Sequence, residues 1–188
     1  MVYFSTDDTI RAAAYTIAEA LSANLFEIRP AEPYTADDVN YHNSQSRTSI
    51  EQNDPQARPA IAALPENLSR YDTIILGYPI WWGQAPRILY TFMESVDLSG
   101  KTIIPFCTSG SSGAGSSASN LQKLTGESTV WLEAKRISNG SGAEEIRTWA
   151  ESLGLGKKET GMFYIHVNDA VLAVKAEVWR DSSLSNRP

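Results

Sequence analysis

"YDTIILGYPIWWGQAPR", residues 71–87, holds an apolar run, a glycine, a proline and two adjacent tryptophans within seventeen positions. A run such as "TIIL", apolar at both parities, predicts a strand buried on both faces, as in a parallel sheet covered by helices. Gly77 and Pro79 close the strand, and Pro86 suits the first turn of a helix over 86–95. The residues between, Pro79 to Gly83, form a loop at a strand's carboxyl end. Two tryptophans side by side in such a loop are costly to leave in water. Flat aromatics suit stacking on a planar ligand, and Gly83 would let backbone approach it closely. The competing reading puts one tryptophan in the core and the other in a dimer interface.

Working outward, "GKTIIPFCTSG" (100–110) predicts a second buried strand, running into the small-residue loop "TSGSSGAGSS" (108–117). That loop suits a ring edge or an anion held on backbone N–H groups; its alternative is a mobile turn. Its glycines form neither a dinucleotide fingerprint nor a phosphate-binding lysine motif. Upstream, "MVYF" (1–4) predicts a short first strand, and Ile10, Ala13, Ala14, Ile17 and Leu21 recur at helical spacing. So short a first strand raises the expectation that the native chain begins further upstream or that the strand is trimmed. "NLFEI" (24–28) and "TVWLEAKRI" (129–137) predict further strands, and "GAEEIRTWAESLGLG" (142–156) a closing helix. Residues 30–70 are polar, rich in Pro and Asn and without sustained period, which predicts a long functional or mobile connection. Strands alternating with helices imply a parallel doubly wound sheet, whose ligands sit outside the strands' carboxyl ends. Three loops fall there: 5–10, 78–85 and 108–117.

The 188 residues, 42% hydrophobic and 20% charged, suffice for one domain over 1–156 with an appendage. Residues 161–180 alternate as a β-hairpin around "NDA", and 181–188 read as a frayed tail. A net charge of −6 without basic runs argues against nucleic acid, and no apolar stretch is long enough to span a membrane. The single Cys107 cannot form an internal disulfide; it fits a core position better than a nucleophile, and the cytoplasm is the expected compartment. Arg47 and Arg58 could meet an acidic substrate but suit solvated loop positions better.

"YDTIILGYPIWWGQAPRILYTFMES" and "DLSGKTIIPFCTSGSSGAGSS" resemble the flavodoxin-like family of FMN-binding proteins, in the subgroup with a Tyr-Pro-Ile-Trp-Trp-Gly loop, over residues 2–155. The resemblance implies a five-stranded sheet in the order 2-1-3-4-5, with FMN at the β1/β3 switch point. It implies ring contacts from Pro79, Ile80, Trp81, Trp82 and Gly83 on one side, and from Thr108, Ser109, Gly110, Gly113 and Gly115 on the other. The tail resembles the opening hairpin of a cyclophilin-like domain, halted after two strands.

The family's phosphate loop, Ser-x-Thr-Gly-Asn-Thr, falls on Ser5, Thr6, Asp7, Asp8, Thr9 and Ile10, and only Ser5 clearly matches. Asp8 stands for the glycine, while Asp7 and Ile10 stand for hydroxyl donors. Two carboxylates repel a phosphate, yet Asp is among the best helix N-caps, so either aspartate could fill the anion's place from within. No further ligands for a bridging metal are visible. The expectation is an FMN-dependent redox protein, either an electron carrier or a small NAD(P)H-linked oxidoreductase, with FMN weakened or lost. Its partners would be a redox protein or a small acceptor, and a homodimer is compatible. No side chain suggests itself as acid or base. The alternatives are a binding module that has lost FMN and a site for a flat, phosphate-free ligand.

Overall fold

The computed structural model describes residues 1–109, 113–138 and 140–155, with the backbone of two further strands at 158–167 and 170–179. The chain opens with β1 (Val2–Tyr3), α1 (Asp8–Leu21) and β2 (Phe26–Glu27), then α2 (Arg47–Asn53) and a single 3-10 turn (Leu68–Arg70). There follow β3 (Thr73–Pro79), α3 (Arg87–Ser95), β4 (Thr102–Ser109) and α4 (Ser117–Gln122). The edge strand comes in two pieces, β5 (Val130–Trp131) and β6 (Lys135–Ser138), before α5 (Ala143–Ser152). All pairings in the main sheet are parallel, in the expected order β2-β1-β3-β4-β5, with β6 also on β4. β7 (Lys158–Val167) and β8 (Ala170–Trp179) form the expected antiparallel hairpin, while the tail 181–188 lies outside the described residues.

Both sheet faces are covered, as the two-sided apolar runs require. Ile74, Leu76 and Tyr78 of β3 pack with Ile88, Leu89, Phe92 and Met93 of α3. Ile75, Ile104 and Phe106 face the other way, onto Ile10, Ala13, Ala14 and Ile17 of α1 and Ile146 and Ala150 of α5. Each fully buried Ile or Leu contributes roughly 1.5–3 kcal/mol. Gly77 is there for space: it pairs with Phe106, and a Cβ on it would lie 2.2 Å from that ring.

The edge strand corrects the single strand expected over 129–137. Its register advances from Trp131↔Ile103 to Lys135↔Phe106, four residues against three, so it carries a one-residue bulge. Pro105 explains the break. Ile103 turns its carbonyl to the edge strand, accepting from Leu132 N–H at 3.0 Å, and Pro105 shares its parity. Having no N–H, Pro105 cannot donate there, and pairing lapses.

The segment 30–70, expected as a long functional or mobile connection, carries ordered structure of its own. Pro30 and Ile61 form an antiparallel bridge, and α2 starts at Ser46, whose hydroxyl caps Ser49 N–H. An i,i+4 ion pair, Arg47–Glu51 at 2.8 Å, supports that helix. Ser46 followed by this pair was the available signal; seven residues are too few for periodicity to show it.

Candidate functional site

Chain order reverses at β1: the connection from β1 runs to β2 on one side, and the connection from β2 returns past β1 to β3 on the other. The crevice at its carboxyl end is therefore the place for a ligand. There the turn 5–9 is closed upon itself. Asp7, in extended conformation, caps α1: its Oδ1 accepts from Thr9 N–H at 2.8 Å. Ser5 Oγ accepts from Asp7 N–H at 3.2 Å, and its hydroxyl donates to the Asp7 carbonyl. Asp8 does something else. Its side chain is 96% exposed and accepts from Arg11 Nη1 at 2.8 Å, turned away from the cap. The ambiguity between the two aspartates is thus resolved: Asp7 fills the helix end and Asp8 pairs with Arg11. Thr6 is half-buried, and the Ile10 side chain lies in the core, leaving only its backbone to this turn.

The second loop is a tight reversal. Trp81 N–H donates to Gln84 O and Gln84 N–H to Trp81 O, both at 2.9 Å, with φ of 48° at Trp82 and 73° at Gly83. Positive φ at both central residues is the pattern of a type I′ turn. Glycine adopts it freely; a tryptophan there is strained. The two indoles divide their roles. Trp81 meets Phe4 and Tyr34 edge-on at centroid distances of 5.6 and 5.9 Å. Trp82 stays 50% exposed at the tip. At Gly83 and Gly113 the Cβ positions face open space, so a flat molecule can approach either backbone.

The third loop is tied to the second. Ile80 N–H donates to the buried Thr108 at its carbonyl (2.9 Å), extending the pairing that ends at Pro79↔Thr108. Gln84 Nε2 donates to Ser116 Oγ at 3.0 Å and Asn120 Nδ2 to Gln84 Oε1 at 2.6 Å. Gly115, at φ 56°, lies so close that a Cβ would be 2.7 Å from Gly83 O. Ser109 is buried, its carbonyl accepting from Arg136 Nη2 at 3.3 Å, and Gly110 lies outside the described residues.

The residues missed by sequence reasoning come from the long connection. Gln52 of α2, 9% exposed, donates through Nε2 to Trp81 O (3.0 Å) and Ala85 O (3.4 Å) and accepts from Arg87 N–H at 3.1 Å. One amide thus clamps the tryptophan turn to the start of α3. Beside it, Tyr34 donates to Glu51 at 2.6 Å beneath the Arg47 guanidinium, 4.1 Å from its ring. Burial first, then this bond to a carboxylate, hold the Tyr34 phenol well above its ordinary pKa, so it stays protonated. Arg47 and Arg58 are not solvated loop charges, since each is paired, with Glu51 and Glu94 respectively.

The flavodoxin family model matches residues 1–153. The chain belongs to the flavodoxin family. Among solved structures, a protein of Bacteroides eggerthii provisionally assigned as a flavoprotein is 42% identical, over 82% of this chain and 96% of its own, with a TM-score of 0.74. A second such protein, from Bacteroides uniformis, is 41% identical over 80% and 95%, at 0.75. A flavoprotein of Lactobacillus acidophilus in complex with FMN shares the fold at 20% identity and a TM-score of 0.58, over 72% of this chain and 89% of its own. No curated protein gives a significant match.

Set against a flavodoxin's cofactor, the residues divide. The ring side fits: Trp82 is offered to solvent, Gly83 and Gly113 are open, and the loops that carry them are cross-tied. The phosphate side does not, because the N–H an anion would use at Thr9 already serves the Asp7 carboxylate. Cys107, buried beneath the third loop, has its thiol pushed up to about 11 by desolvation, which suits a core residue and not a nucleophile. Among the described residues no group of His, Cys, Asp and Glu is placed to hold a metal ion, and no helix is long and apolar enough to cross a membrane.

Proposed function

We propose that this flavodoxin is a flavin-dependent redox protein, an electron carrier or a small NAD(P)H-linked oxidoreductase, that holds its cofactor by the ring rather than by the phosphate. The observation that carries the reading is the 2.8 Å bond from Thr9 N–H to Asp7, an internal anion where the ligand's own anion would sit. A bound flavin would supply the electron chemistry; the chain would position it and set its polarity. Trp82 provides a stacking face, and the backbone of Pro79–Gly83 with that of Thr108, Ser109, Gly113 and Gly115 provides the edges. Gln52 and Gln84 keep that frame in place. The electron partner is a second protein or a small acceptor.

The cap equally supports a second reading, a flavodoxin fold that has given up its cofactor and serves as a binding module. Titration with riboflavin and FMN, followed by tryptophan fluorescence, separates the two. Similar affinities for both flavins support the proposal. FMN binding several hundred times tighter than riboflavin would refute it, and a colourless protein that binds neither establishes the second reading.

A further inference from the structure

Beyond the ring loops, an open groove of about 440 Å3 lies between α3 and α4, lined by Arg58, Arg87 and Lys123 with Gln84, Tyr90 and Asn120. No carboxylate is among its lining residues, in a chain whose net charge is −6. The three cations are not equivalent. Arg58 is spent: Nε and Nη2 each lie 2.7 Å from Glu94, and Nη1 donates to the Pro55 and Ala57 carbonyls at 3.0 Å. Arg87 is held by neutral groups only. Its Nη2 donates to Gln52 O at 3.1 Å, its Nε to Glu51 O at 3.4 Å, and its guanidinium lies 4.8 Å from the Tyr90 ring centroid. None of these contacts uses Nη1 or cancels the charge. Lys123 donates to Asn120 Oδ1 at 2.9 Å, which leaves two of its three N–H groups.

A guanidinium fixed by carbonyls and an aromatic ring, lining the same groove as an ammonium, is a receptor for a compact anion of more than one charge. We infer that this groove binds the phosphoryl group of a small phosphorylated molecule. With Arg58 spent, two cations in one groove are enough for a phosphate or diphosphate and too few to hold an extended acidic segment, which favours the small anion. The site is separate from the helix end that Asp7 fills, and it does not depend on the flavin reading. It is nevertheless wired to the ring loops. Lys123 bonds Asn120, Asn120 bonds Gln84, and Gln84 closes the Trp81–Gln84 turn. Occupancy should therefore register in the fluorescence of Trp82.

The test is titration of the intact protein with inorganic pyrophosphate at low salt, by calorimetry and tryptophan fluorescence. Saturable binding is expected, weakened roughly fivefold or more in Lys123→Gln and by added salt. Lys123 is exposed, so this variant should fold as the parent does. Arg87→Lys is the second variant; it keeps the charge, loses the planar fork and should also bind more weakly. ADP serves as a further arm: binding no tighter than pyrophosphate assigns recognition to the phosphoryl group alone, and tighter binding assigns it to a nucleotide. The inference is overturned by no saturable binding, by equal affinity in Lys123→Gln, or by a hexaglutamate peptide that outcompetes pyrophosphate.

Discussion

Replacing Asp7 with serine removes one charge from the start of α1 while keeping an oxygen that can cap it. Asp and Ser are nearly equal as N-caps, so helix stability should change by no more than about 0.5 kcal/mol. An FMN phosphate that took over the Thr9 N–H, now 2.8 Å from Asp7 Oδ1, would lie about 5 Å from that carboxylate. One pair of like charges at that separation costs about 3 kcal/mol at an effective dielectric near 20, and about 0.8 kcal/mol in bulk water. Those limits correspond to a gain in FMN affinity of roughly fourfold to two-hundredfold on removing the charge. Riboflavin, which has no phosphate, should bind the Asp7→Ser protein as it binds the parent, so the ratio of the two affinities isolates the effect. Asp8→Asn is the control. That carboxylate is 96% exposed and already neutralised by Arg11, so its removal should gain no more than about twofold. Calorimetric titration with both flavins at low and high salt reads all three proteins, and the gain in Asp7→Ser should shrink as salt rises. An unchanged FMN-to-riboflavin ratio in Asp7→Ser, or an equal gain in Asp8→Asn, would refute the reasoning.

Gln52→Ala strips the partners from Trp81 O, Ala85 O and Arg87 N–H at once, and should cost about 2–3 kcal/mol in denaturant unfolding while shifting tryptophan emission; a loss below about 0.5 kcal/mol would show the clamp to be idle. Gly115→Ala sets a methyl 2.7 Å from Gly83 O at a residue with φ 56°, and should destabilise by about 1–3 kcal/mol, whereas Gly126→Ala, with open space around its Cβ, should not. Cys107 stays protonated in the folded state up to about 11, against an ordinary value of 9.0, so the unfolded chain loses that proton first as pH rises. Its contribution is whole below pH 9 and is lost between there and about 11; Cys107→Ala should therefore flatten the decline of stability with pH across that window, whatever its overall cost.

The layers of the fold were legible in the chain. Residues apolar at both parities in the strands 73–79 and 102–109 state that both faces of a strand are covered, and the spacing of Ile10, Ala13, Ala14 and Ile17 states which face of α1 is buried. These are local periodicities, fixed by backbone geometry. The break that Pro105 imposes on the edge strand was not foreseen, because which neighbour loses a donor depends on the side to which that residue turns. The three loops of the crevice were also placed in advance, because strand ends in a parallel sheet follow from strand order. What the chain could not declare was the choice between equivalent groups. Asp7 and Asp8 are the same side chain one position apart, and Arg11, one helical turn on, draws Asp8 outward. Trp81 and Trp82 are likewise neighbours; Tyr34 and Phe4, both remote in sequence, fix which of them packs onto the core. Gln52 becomes a clamp only because α2 comes to rest beside a turn 29 residues away. Such decisions rest on contacts between segments far apart in the chain, where burial and hydrogen bonding outweigh local preference, and only the tertiary structure makes them.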